Sequence, residues 1–239
     1  MTDLALAPVA VVIAAYDEEE AIGGVLREIP ASACGLAVDT VVVDDGSRDD
    51  TAAVAERHGA HVVRLGSNHG QGAAFQVGYR VAREAGARFI VTLDADGEWD
   101  PADVPSVLEP VVAGEADLVI GSRVLGRADG TDPVRRAGVA VFASTVRLLT
   151  GVRVTDTSSG LRAMRAELTA AVRLEQPQYQ TAELLIGAIS RGYRVAERPT
   201  GHRARTAGRT KKGHSVPYGM RYARVVVGTW WRERGAGRL

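Results

Sequence analysis

Residues 88–98 read RFIVTLDADGE. The apolar run from Phe89 to Leu93, free of glycine and proline, predicts a strand buried on both faces, as in parallel sheets. It ends on Asp94, with Asp96 two residues further on a turn. Two carboxylates so spaced can face one hard cation; Mg²⁺ and Mn²⁺ prefer oxygen ligands and often complete their shell with substrate phosphates. A pair of surface aspartates or a Ca²⁺ loop would read the same in isolation, so the neighbouring segments carry the decision.

Outward from this stretch, strand and helix alternate. Strands are predicted at Val9–Tyr16, Val38–Val43, His61–Leu65 and Asp117–Ile120. Helices are predicted from Glu18 to Ile29, ended by Pro30, then over Asp50–Arg57, Gly70–Ala85 and Pro101–Ala113. Four such alternations predict an α/β fold with a mostly parallel central sheet flanked by helices. Ligands of such sheets bind beyond the carboxyl ends of the strands. Asp17 and Glu18, Asp44 and Asp45, and Asp94 and Asp96 all fall at such ends. The second half is less regular: a helix at Val134–Leu149, a short strand at Ser159–Met164, a helix at Thr181–Ser190 and a strand at Tyr193–Glu197. A Gly- and Arg-rich loop, Thr200–Gly213, leads to a closing helix at Val216–Arg234.

The chain has 239 residues, 46% hydrophobic and 24% charged, as expected of a globular protein rather than a disordered one. Formal net charge is zero, but residues 201–239 hold 10 Lys and Arg against one acid, Glu233. Such an end expects an anionic partner, phosphate or lipid headgroup, or else is simply solvated. The lone cysteine, Cys34, excludes an internal disulfide and fits a reducing cytoplasm. Met1-Thr2-Asp3-Leu4 does not open a signal peptide, and no run of about 18 apolar residues occurs. The expectation is a cytoplasmic chain with a peripheral contact on the inner face of the cell membrane. The histidines show no zinc spacing.

The segments VVIAAYDEEEAI (11–22), VVVDDGSRDDT (41–51), NHGQGAA (68–74), DADGEWDP (94–101), DLVIGSR (117–123), DTSSGLRA (156–163) and RTAGRTK (205–211) occur in one order across about 200 residues. In this the chain resembles the family 2 glycosyltransferases of the GT-A fold, close to the polyprenyl-phosphate glycosyltransferases such as dolichyl-phosphate mannose synthase. The resemblance implies an inverting, metal-dependent hexosyltransferase. It would move a sugar from a nucleotide diphosphate sugar to a polyprenyl phosphate; the alternative keeps the donor and takes a saccharide or small soluble acceptor. No nucleic-acid partner is expected. A third reading is a nucleotide-binding module without catalysis, against which the intact Asp94–Asp96 pair argues.

By the same resemblance Asp17, Glu18, Asp44 and Asp45 would hold the base and ribose, and the turn Gly70-Gln71-Gly72 would let the backbone approach the nucleotide. Asp94 and Asp96, with Glu98 as third ligand, would hold Mg²⁺ or Mn²⁺. Arg123 and the Arg135-Arg136 pair would lie near the acceptor phosphate. Arg205, Gly208, Thr210 and Lys211 match a basic loop closing over the phosphates. A hydroxyl acceptor would need a base, and Asp156 and Glu183 are the candidates; an anionic lipid phosphate needs none. Residues 1–215 are expected to form the catalytic domain. Residues 216–239 are expected to form a basic amphipathic helix, not an independent domain, with Val225, Val226, Val227, Trp230 and Trp231 among Arg221, Arg224, Arg232 and Arg234.

Overall fold

The computed structural model describes residues 4–126, 133–203 and 216–235. Strands β1 (Val9–Ala15), β3 (Leu36–Asp44), β4 (His61–Arg64), β5 (Phe89–Asp94), β6 (Leu118–Ser122), β7 (Arg162–Arg165) and β8 (Val195–Pro199) form one sheet, joined by a two-residue strand β2 (Ser32–Ala33). The order is β2-β3-β1-β5-β7-β6-β8, with β4 also on β3. β1 pairs in parallel with β3 and β5, β3 with β4, and β6 with β8. β7 runs antiparallel between β5 and β6, and β2 antiparallel to β3, so the sheet is mixed around its parallel core.

Helices cover both faces, which is why β1 is apolar throughout. Val9, Val11 and Ile13 pack on the face of α1 (Glu19–Glu28) and α4 (Val104–Val112). Ala10 and Val12 pack on the face of α3 (Gln71–Glu84), α7 (Gln180–Ser190) and α8 (Val216–Gly235). At Gly78 of α3 a Cβ would stand 2.4 Å from Val12, so this glycine lets the helix close on the sheet. Acids in the first turn of α1, Glu19 and Glu20, and Arg27 in its last suit the helix dipole. The remaining helices are α2 (Thr51–Arg57), α5 (Pro133–Thr150) and α6 (Leu168–Ala171).

Three local readings are corrected. The helix expected from Pro101 starts as a 3-10 turn, Pro101–Asp103, before α4. β2 and α6 were not anticipated, being two and four residues long, too short to show a period. In α8, Tyr222, Val226, Thr229 and Glu233 are buried, at helical spacing, so one face belongs to the body of the protein.

Candidate active site

Register places the acidic clusters together. Ala15 lies opposite Asp44 across the β1–β3 pair, and Ala14 opposite Asp94 across β1–β5. All three strands therefore stop at one edge. The turns beyond them are clasped to one another. Asp17 takes a left-handed φ of 49°, its amide donating to Ser47 Oγ at 2.9 Å and its carboxylate accepting from the Arg48 amide at 2.8 Å. The Glu18 amide donates to Thr51 Oγ1 at 2.8 Å, and Asp44 accepts from the Ser47 amide at 3.1 Å.

Asp45 is buried, and its two oxygens accept from the amides of His69 and Gly70, each at 2.8 Å. This fixes the turn that starts α3. The glycines of that turn pack closely against the loop before α7. A Cβ on Gly72 would stand 2.1 Å from the Gln176 carbonyl, and one on Gly70 2.7 Å from that of Pro177. The Gly72 amide donates to the Pro177 carbonyl at 2.9 Å. Their smallness seats the loop before α7.

Asp94 and Asp96 are each 8% exposed. Asp94 is aimed from three sides. Gln71 Nε2 donates to Oδ1 at 3.0 Å and Trp99 Nε1 to Oδ2 at 3.2 Å. On the third side is Gly160, where a Cβ would stand 2.2 Å from Oδ2. Asp96 accepts from the Glu98 amide at 3.2 Å. Hard oxygen donors at the open end of a strand fit Mg²⁺ or Mn²⁺. Among the described residues no three His, Cys, Asp or Glu side chains converge as ligands. The Glu98 carboxylate lies 3.4 Å from His202 Nε2, drawn toward the buried ring that packs edge-on against Trp99.

Arg123 is 6% exposed, and its Nε lies 2.9 Å from Asp156 Oδ2 while Nη2 reaches Ser158 Oγ at 2.5 Å. Asp156 is fully buried. The fork expected to meet a phosphate is thus engaged within the protein. Glu183, also fully buried, accepts from the amides of Glu175 and Gln176 at 2.9 and 2.8 Å and from Arg232 at 3.2 Å. Neither candidate base is presented to solvent. The side chains of Arg135 and Arg136, and residues Arg205, Gly208, Thr210 and Lys211, lie outside the described residues.

Sequence reasoning missed several participants. Arg162 is buried under the turn that carries Gly160, donating to the carbonyls of Ser159 at 3.0 Å, Thr157 at 2.8 Å and Thr181 at 2.7 Å. Burial pulls its guanidinium below its ordinary pKa. Glu197 accepts from the amides of Thr155 and Asp156 at 2.8 and 3.0 Å. Trp99 and Arg162 stand inside quoted motifs, which was the available signal; His202 and Glu197 carried none.

Comparison with known proteins identifies the family. The model of glycosyl transferase family 2 matches residues 10–173. A dolichyl-phosphate hexose transferase of Haloferax volcanii is 36% identical, over 88% of this chain and 89% of its own. A polyprenol monophosphomannose synthase of Mycolicibacterium smegmatis is 33% identical, over 92% of this chain and 85% of its own. The solved structure of glucosyl-3-phosphoglycerate synthase from Mycobacterium tuberculosis, in complex with Mn²⁺, UDP and glucosyl-3-phosphoglycerate, has the same fold. Its TM-score is 0.72 at 24% identity, with 96% of this chain and 80% of that one covered.

Proposed function

Because the chain belongs to glycosyl transferase family 2, we propose that it moves a sugar from a nucleotide diphosphate sugar onto a polyprenyl phosphate, with inversion. Residues 1–215 form the catalytic domain in the proposal, and the helix beyond them is not an independent domain but packs on the same core. Asp17, Glu18 and Asp44 take the base and ribose at the sheet edge, since carboxylates accept from base N–H groups and ribose hydroxyls. Asp94 and Asp96, with Glu98 as third ligand, would hold Mg²⁺ or Mn²⁺ against the diphosphate. The cation, when bound, offsets the charge gathering on the departing nucleoside diphosphate. Gln71, Trp99 and Gly160 keep Asp94 in place beforehand, so little reorganisation is left for the reaction. Arg135, Arg205 and Lys211 are assigned to the phosphates.

The observation that carries the choice of acceptor is the burial of both candidate bases. A hydroxyl acceptor needs a base within reach of its proton. Asp156 is paired with Arg123, and Glu183 with backbone amides and Arg232. A lipid phosphate oxygen is already anionic at neutral pH and attacks the anomeric carbon without one. Named relatives acting on dolichyl phosphate and polyprenol phosphate support the same choice. Incubation with a panel of labelled nucleotide sugars and a polyprenyl phosphate, followed by solvent extraction, tests it. Label should enter the organic phase only with Mg²⁺ or Mn²⁺; label remaining on a water-soluble sugar acceptor would support the alternative.

Asp45 acts in this proposal through the turn it holds. Asp45→Ala strips the acceptor from two amides, a loss of about 1–3 kcal/mol, and frees Gln71 from its aim at Asp94. Nucleotide-sugar affinity, measured calorimetrically with Mn²⁺, should fall about tenfold. A variant that melts earlier yet binds donor as before would restrict Asp45 to folding.

The lipid acceptor places the enzyme at the cytoplasmic membrane face in the same proposal. No helix among the described residues is long and apolar enough to cross a membrane. Leu148 on α5 is 85% exposed, and Met220 and Trp231 on α8 are 63% and 70% exposed, apolar side chains suited to the headgroup boundary. The full chain should co-sediment with vesicles containing anionic lipid, and Leu148→Ser with Trp231→Ser should reduce the bound fraction several-fold, by about 1–2 kcal/mol. Unchanged sedimentation of that double variant would remove these side chains from the contact.

A further inference from the structure

The four arginines of α8 fall into two groups. Arg232 is paired with Glu175 at 2.8 Å and Glu183 at 3.2 Å, and the Arg234 guanidinium lies 5.1 Å over the Trp230 ring. These two are occupied by the protein itself. Arg221 and Arg224 are exposed and, among the described residues, have no carboxylate within ion-pair distance. Both line an open cleft of 440 Å³, together with Asn68 and His69 from the turn before α3, and Pro177 and Tyr179 from the loop before α7. Val225, one residue after Arg224, lines it too. Spacing of three and four residues puts Arg221, Arg224 and Val225 on one side of the helix.

The walls are built rather than incidental. The turn carrying His69 and Gly70 is fixed by the Asp45 carboxylate, and the facing loop by the Glu183 carboxylate. Gly70 lines the cleft and is followed directly by Gln71, whose amide holds Asp94. Two unneutralised guanidinium groups in a concave site with apolar neighbours match one ligand chemistry: a phosphate joined to a hydrocarbon chain. The volume admits the phosphate and the first carbons of such a chain.

We propose that this cleft receives the phosphate end of the lipid acceptor, with Arg221 and Arg224 clamping the anion and Val225, Pro177 and Tyr179 meeting the start of the chain. It rests on the reading that the acceptor is a lipid phosphate, and it names residues outside every motif that led to that reading. The probe is geranyl phosphate, titrated calorimetrically into the full chain below its micelle concentration, with geraniol and inorganic phosphate as comparisons. Geranyl phosphate should bind more tightly than either. Arg221→Gln with Arg224→Gln should weaken it about tenfold or more, and raised salt should do the same to the parent chain. Equal binding to the parent and the double variant, with matching melting temperatures, would overturn the clamp. Geraniol binding as well as its phosphate would do so too, and inorganic phosphate binding equally well would overturn the chain-bearing ligand. Metal-dependent donor binding by the parent chain is read separately. Its failure brings down the transferase reading, whereas its success beside an indifferent double variant brings down only the cleft.

Discussion

Asp96→Ala should reduce sugar transfer by roughly three orders of magnitude, about 4 kcal/mol of transition-state stabilisation. The residue is 8% exposed at the strand edge shared by the acidic clusters, beside an Asp94 that three neighbours keep in position. In the proposed site the variant would lose one of the carboxylates that hold the divalent ion, and the leaving diphosphate would be less compensated. The loss should fall on kcat and on the metal dependence of donor binding alike. Melting temperature without metal should change little, because no apolar contact is lost. Turnover within a few-fold of the parent at saturating Mn²⁺ would remove the pair from the mechanism.

Asp156→Ala should have the largest effect on stability, about 3–5 kcal/mol, because it leaves the Arg123 guanidinium buried without its carboxylate. For a chain of this size that is a fall of about 10 °C in melting temperature. Arg123→Met should cost a similar amount, and the double variant Arg123→Met with Asp156→Leu should recover much of it, since an apolar pair leaves no charge unpaired. The same series separates structure from catalysis. A base at Asp156 would show as lost turnover in a protein that melts normally. Loss of stability that the double variant restores is the signature of a strut.

The fold was legible because its central strands are buried on both faces, and a run such as Val9 to Ala15 admits few other readings. The carboxylates at the strand ends were equally plain, since any strand of a parallel sheet delivers its last residue to the same edge. What the sequence hid were partners distant along the chain. Asp45 meets His69 and Gly70, Gln71 meets Asp94, and Gly160 makes room for Asp94, across separations that no spacing rule covers. The glycines at 70 and 72 show the same limit: their smallness was readable, but not that a loop a hundred residues later would use it. Arg123 and Asp156 stand in separate motifs, and their spacing gave no sign that burial pairs them with one another.

Arg162 bears on motion. A cation held under the Ser159–Gly160 turn by three backbone carbonyls, in a fully buried position, cannot shift without leaving its charge unsolvated. The turn resting on it is therefore held in place, and Gly160 with it, beside the Asp94 carboxylate. Hinges form where backbone is free to change its dihedral angles at small cost, and among the described residues the turn over Arg162 is tied by that side chain's hydrogen bonds instead. In the proposed transfer, an opening for the nucleotide sugar would therefore be sought in segments other than this turn, with the Asp94 side of the site as its fixed part.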